Sequence, residues 1–185
     1  MNNAPWEEYS HIWKTKAAFM SFLRGGIRRA LWNRSPIKLE FIRKNRIRIP
    51  NPNPRGRVAE VWGAICGVCG GEFLLKDVEV DHTIGNHSLK DLDDLQPFIE
   101  GIVCVSEGDL SFACKPCHKC KTHAEKMGIS FDEAFAEKEA IKILKEKKDL
   151  TWLEERGIVP LRSQNARREQ IVKQIIKERI NESPE

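Results

Sequence analysis

Apolar residues recur at helical spacing in separate parts of the chain. From Trp13 to Asn33 they fall at Trp13, Ala17, Met20, Phe22, Leu23, Ile27 and Leu31, which predicts an amphipathic helix. Gly25-Gly26 is placed to interrupt or kink it. Ala136, Ala140, Ile143 and Leu144 form a second stripe behind the capping-box pattern Ser130-x-x-Glu133. A short helix over TWLEER follows, with Gly157 as its C-cap. Ile171, Val172, Ile175, Ile176 and Ile180 then line one face of a last helix starting near Ser163. Such stripes are packing faces.

The middle of the chain reads differently. In KLEFIRKNRIRIP, Arg46 and Arg48 stand two residues apart, a spacing that favours an extended chain. PNPNPRGR, residues 50–57, is non-helical because each proline pushes its predecessor toward extended geometry, and it predicts a stiff connector. GEFLLK and VEVDH read as short strands. KDLDDLQPFIEG reads as a loop-rich acidic insertion, and a helix begins near Pro116. The expected fold class is α+β, in three regions. Residues 1–57 form a basic arm of helix plus extended connector, 58–128 a small cysteine-bearing core, and 129–185 a helical region.

Charge sharpens that division. Residues 1–60 carry 13 Lys/Arg against 4 Asp/Glu, whereas residues 61–128 carry 6 against 11. A strongly basic arm suggests a polyanionic partner, nucleic acid above all. Arg24, Arg28, Arg29, Arg43, Lys44, Arg46 and Arg48 are the candidate phosphate contacts, the alternative being a solvated basic face. The opening MNNAPWEEYS lacks a signal peptide's basic start and apolar run. AAFMSFL is too short to span a bilayer. The expected location is therefore the cytoplasm, with no membrane partner.

In a reducing interior, cysteines act as metal ligands or buried thiols rather than as a disulfide framework. Cys66-Gly-Val-Cys69 and Cys114-Lys-Pro-Cys117 are two C-x-x-C knuckles, which together supply the four soft ligands of a tetrahedral zinc. The alternatives are two buried thiol pairs or a redox C-x-x-C. Cys104 and Cys120 read as ordinary small apolar residues. Four thiolates close the coordination sphere, so this zinc would staple distant segments while the chemistry lies beside it.

Two places beside the knuckles carry suitable groups. Asp81 and His82 end an apparent strand, where adjacent side chains diverge. A carboxylate there suits a hard divalent cation such as Mg2+, and an imidazole suits a water to be deprotonated. On the helix beyond Cys117, His118 shares a face with Lys121 and Thr122, at i+3 and i+4. An imidazole, an ammonium and a hydroxyl together suit a metal and a phosphate. The alternative for Asp81 is an ordinary turn cap.

The series C-x-x-C, VDH and DLSFACKPCHKCKT resembles the zinc-containing HNH endonucleases with the ββα-metal fold. The resemblance covers residues 66–122. It implies that Asp81 and His118 ligate a catalytic Mg2+ or Mn2+, that His82 activates water, and that Cys66, Cys69, Cys114 and Cys117 hold Zn2+. Asp109 stands where the family has its middle Asn, which orients the histidine and its loop; an aspartate can accept those hydrogen bonds but not donate them. W-x-T-K-A-A-F-x-S-F-L-R-G-G and KLEFIRKNRIRIPNP further resemble the flanks of HNH proteins of tailed bacteriophages, often classed as homing-type. The implied activity is hydrolysis of DNA phosphodiester bonds in a host cytoplasm. A non-catalytic zinc-stapled DNA-binding accessory protein is the other reading.

Overall fold

The computed structural model describes residues 4–54, 58–85 and 88–182. The chain falls into two compact units, Met1–Cys114 and Lys115–Glu185. Among the described residues the first unit holds helices α1 (Pro5–Glu8), α2 (Lys16–Ala30) and α3 (Pro36–Asn45). Strands β1 (Ile47–Pro50), β2 (Glu60–Ile65), β3 (Glu72–Leu74) and β4 (Val78–His82) follow, then α4 (Leu95–Val103) and β5 (Leu110–Cys114). The second unit is helical, with α5 (Lys115–Met127), α6 (Phe131–Lys145), α7 (Asp149–Glu154) and α8 (Gln164–Glu182). The chain is thus mixed α+β, with small antiparallel sheets, as expected.

Helix α2 starts where the Thr15 hydroxyl accepts the Ala18 N–H at 3.1 Å. It runs unbroken through Gly25-Gly26, contrary to the interruption expected there. Each glycine costs about 1 kcal/mol relative to alanine, and burial of the apolar face offsets this. Met20 is buried with Leu89, Phe98 and Ile102, and Phe19, Leu23 and Ile27 pack around them. Phe98 and Ile102 come from α4, so the segment read as an acidic loop contains a helix. Its apolar face was masked by the preceding Asp91, Asp93 and Asp94. The Asp94 carboxylate accepts the Lys90 and Asp91 N–H groups at 2.9 and 2.8 Å.

Ser35 and Pro36 open α3 in the usual cap-then-proline order. The extended stretch predicted around Arg46 and Arg48 is β1. β1 pairs antiparallel with β2, Arg48 opposite Trp62 and Ile49 opposite Val61. Because β1 and β2 pair antiparallel, the chain turns back between them instead of running on as a stiff linker. The Asn51 N–H donates to the Ala59 carbonyl at 2.9 Å. Residues 55–57, also assigned to the connector, lie outside the described residues. β2 pairs onward with β3, and β4 with β5, Val78 opposite Cys114 and His82 opposite Leu110.

In the second unit, the Ser130–Glu133 capping box closes in both directions at 3.1 and 2.8 Å. Ala136, Ala140, Leu153, Ile171 and Ile175 form the core, flanked by Ile143, Val172 and Ile176. The predicted stripes are these faces, except that Leu144 is half-buried outside this cluster and Ile180, near the end of α8, is exposed. Asp149 is buried, and the Arg167 Nε donates to it at 2.6 Å. The same guanidinium donates to the carbonyls of Leu161 and Arg162 at 2.9 and 2.8 Å. His123 on α5 is half-buried, and its Nε2 lies 2.9 Å from Glu137.

Candidate functional site

The first knuckle is the tip of the β2–β3 hairpin. The Cys66 N–H donates to the Gly71 carbonyl and the Gly70 N–H to the Cys66 carbonyl, both at 2.9 Å. Gly70, with φ of +70°, takes the left-handed conformation that this turn needs. Gly67 answers a different demand: a Cβ there would lie 2.2 Å from the Ser111 Oγ. That space lets the Gly67 N–H reach the Phe112 carbonyl at 2.8 Å and brings the hairpin tip against β5. The Cys114 N–H then donates to the Cys66 sulfur at 3.3 Å, across 48 positions of sequence.

Cys66, Cys69, Cys114 and Cys117 converge, all four sulfurs lying within 4.8 Å of one another. Tetrahedral zinc with bonds of about 2.3 Å needs sulfurs about 3.8 Å apart. Small side-chain adjustments close the sphere, and the cysteines can bind a metal such as zinc. The local chemistry agrees. Burial opposes ionisation of the Cys66 thiol, but N–H donors from Cys114, Cys69 and Val68, with help from the Cys69 thiol, outweigh it and lower its pKa to about 7. Cys120 is outside the cluster, in the core, where burial raises its pKa and keeps it a thiol. Cys104 is exposed, not an apolar filler.

No protein family, curated protein or solved structure gives a match to this chain. What it can do must be read from its own residues.

The other end of the β4–β5 ladder holds different chemistry. Four residues separate Val78–Cys114 from His82–Leu110, about 13 Å at strand rise. There a cleft of about 270 Å3 is lined by His82, Thr83, Ile84, Gly101, Cys104, Val105 and Asp109. The His82 ring stacks on Trp32, centroids 4.4 Å apart and planes inclined by 31°. Its Nε2 atom is buried. Lys38 lies 4.8 Å from the Trp32 ring. No feature of the sequence singled out Trp32, because stacking of this kind depends on the approach of the α2–α3 connection to β4.

Asp109 shapes the cleft wall. Its Oδ2 accepts the Ser106 N–H at 2.8 Å and the Ser106 hydroxyl at 2.7 Å. Its carbonyl accepts the Thr83 N–H at 2.8 Å. These Ser106 bonds, backbone first, hold the carboxyl below its usual pKa, helped by the nearby His82. Both carboxylate bonds are accepted ones, which aspartate makes as well as asparagine would.

Two of the basic residues are held by carboxylates. Arg43 is taken up by a two-pronged contact with Glu40 at 2.8 and 2.6 Å, and Lys44 pairs with Glu107. Burial lowers the pKa of Arg28, as does Arg24, while the charge of Asp81 opposes both. Arg28 therefore lies within electrostatic reach of Asp81. Arg29 is exposed on α2. Arg46 and Arg48 both stack on Trp62, with Cζ 3.8 and 4.0 Å from the ring centroid. On α5, His118 and Lys121 are half-buried and Thr122 is exposed. No helix among the described residues is long and apolar enough to cross a membrane.

Proposed function

We propose that this chain is a metal-dependent DNA endonuclease of the HNH kind, a phage homing-type nuclease or nickase whose ββα-metal core is braced by a four-cysteine zinc. The order of elements supports this. β4 ends in Asp81-His82, β5 returns antiparallel to Cys114, and α5 follows at once with Cys117 and His118. One observation carries the reading: a single short ladder has thiols at one end and a cleft lined by His82 and Asp109 at the other. In this reading a closed metal site and a reacting centre are kept apart, each free to serve one purpose.

In this reading the imidazole of His82 takes a proton from water, since histidine's intrinsic pKa lies near neutrality. Trp32 fixes the ring from one side, and Asp109, held by Ser106, fixes the loop on the other. Asp81 is the hard ligand for a divalent cation such as Mg2+ or Mn2+, with His118 the second ligand that the resemblance assigns. Such a cation, when bound, supplies stabilisation of the charge that develops on the phosphate and the leaving 3′-oxygen. Arg24, Arg28, Arg29, Arg46, Arg48, Lys121 and Thr122 are the candidate contacts to the DNA backbone. Arg43, already neutralised by Glu40, contributes less to that set.

A supercoiled-plasmid assay with Mg2+ or Mn2+ titration tests the proposal. His82→Ala should slow nicking by at least about 100-fold, the usual contribution of a general base, while duplex affinity is retained. Equal nicking by the variant would remove His82 from the chemistry. A wild-type protein that binds DNA but cuts none with Mg2+, Mn2+ or Ni2+ is a zinc-stapled binding protein instead.

A further inference from the structure

We infer that Arg46, Trp62 and Arg48 form a preassembled clamp for the phosphate backbone of duplex DNA on the β1–β2 face. This rests on the reading of the protein as DNA-binding, though not on its being a nuclease.

The clamp follows from strand geometry. Arg48 and Trp62 are direct cross-strand partners, so their side chains emerge on the same face. Arg46, two residues before Arg48, emerges on that face one diagonal step away. Both guanidinium carbons lie at stacking distance from the indole centroid, 3.8 and 4.0 Å. Two guanidinium groups cannot share one face of a single ring at those distances, because their nitrogens would overlap. The indole is therefore sandwiched, with one cation on each side. Although both faces are covered, Trp62 remains 38% exposed, so the edge of the stack meets solvent.

Among the described residues no carboxylate pairs with this arrangement. Arg43, Lys44, Arg156, Arg167, Arg168 and Arg179 are all paired with carboxylates. Among the described residues Arg46 and Arg48 have no such pair. A guanidinium lying flat on an aromatic face has its donors pointing outward in the ring plane, where phosphate oxygens can take them. Two like charges fixed one ring apart also repel each other. A ligand carrying closely repeated negative charges relieves that repulsion, and a phosphodiester backbone carries one per nucleotide. The indole loads no base, since both its faces are occupied, so the contact positions DNA without reading its sequence.

The test is equilibrium binding of zinc-loaded protein to a fluorescein-labelled duplex of mixed sequence, followed by anisotropy across a salt series without Mg2+. Each lost phosphate contact reduces the slope of log K against log salt by about 0.9. Arg46→Gln/Arg48→Gln should flatten it by about 2 and weaken binding at least about tenfold at 0.1 M salt. Arg48→Gln alone, at the exposed position, should remove about half of that change in slope. Trp62→Leu keeps both charges but frees them; affinity should fall about threefold, and Trp62→Phe should restore most of it. Unchanged affinity and slope in the Arg46/Arg48 double variant, with wild-type zinc content, would overturn the inference. So would loss of binding to polyglutamate with duplex binding intact, which would assign the face to an acidic protein. A wild-type protein that binds no duplex at any salt sinks both readings. Duplex binding that depends on the clamp, without cleavage, sinks only the nuclease.

Discussion

Removing the metal from the four-cysteine cluster is the perturbation on which most depends. The cluster joins the β2–β3 hairpin, the end of β5 and the start of α5, segments up to 51 positions apart in sequence. A ligand that binds only the folded state stabilises it by about 4 kcal/mol when present at a thousand times its dissociation constant. For a unit of about 100 residues each kcal/mol moves the melting temperature by roughly 4–8 °C, so stripping should lower it by roughly 15–30 °C. The assay is thermal unfolding of protein loaded with one zinc equivalent, before and after chelation, with zinc release followed by a colorimetric indicator. Cys114→Ser should release the metal and reproduce the shift. Cys104→Ser, outside the cluster, should retain both zinc and melting temperature. A shift under about 3 °C on chelation, or one zinc still bound to Cys114→Ser, would refute the reasoning.

Three further outcomes follow from the packing. Gly67→Ala should cost about 1–3 kcal/mol by overpacking, because its Cβ meets the Ser111 Oγ at 2.2 Å. Ser111→Ala in the same chain should recover most of that loss in urea unfolding; failure to recover would mean that the backbone contact, not the hydroxyl, sets the limit. Asp149→Ala leaves Arg167 half-buried with only its two carbonyl acceptors and should destabilise the second unit by about 1.5–3 kcal/mol, measured by urea unfolding against the Arg167→Met single and double variants. Hydrogen bonds from the Ser130 backbone and hydroxyl lower the Glu133 pKa from 4.5. Its stabilising contribution is therefore complete above about pH 4.5 and disappears as pH falls through its lower folded value. The melting difference between wild type and Glu133→Gln should accordingly be present at pH 7 and vanish in acid; a difference that persists at the lowest pH would exclude the carboxylate as its source.

Helix-forming stripes were legible because their period is local: Ala136, Ala140, Ile171 and Ile175 are buried as their spacing required. The same reading failed at α4, where three aspartates masked a short apolar face, and at α2, where tertiary packing outweighed two glycines. The connector failed for another reason. Proline-rich sequence rules out helix, but it does not say whether an extended chain bridges domains or turns back into a hairpin. Only the pairing of β1 with β2 decides that.

By itself the sequence determined the two matched cysteine pairs, the Asp81-His82 strand end and the charge imbalance of the first 60 residues, because ligand type, spacing and net charge need no coordinates. Tertiary structure decided which groups meet. It drew Cys66 to Cys114 through a glycine that makes room for Ser111, laid Trp32 against His82, and brought two arginines onto Trp62. Those contacts cross strands and loops far apart in the chain. Their energies depend on distances of a few ångströms, which a one-dimensional pattern does not encode.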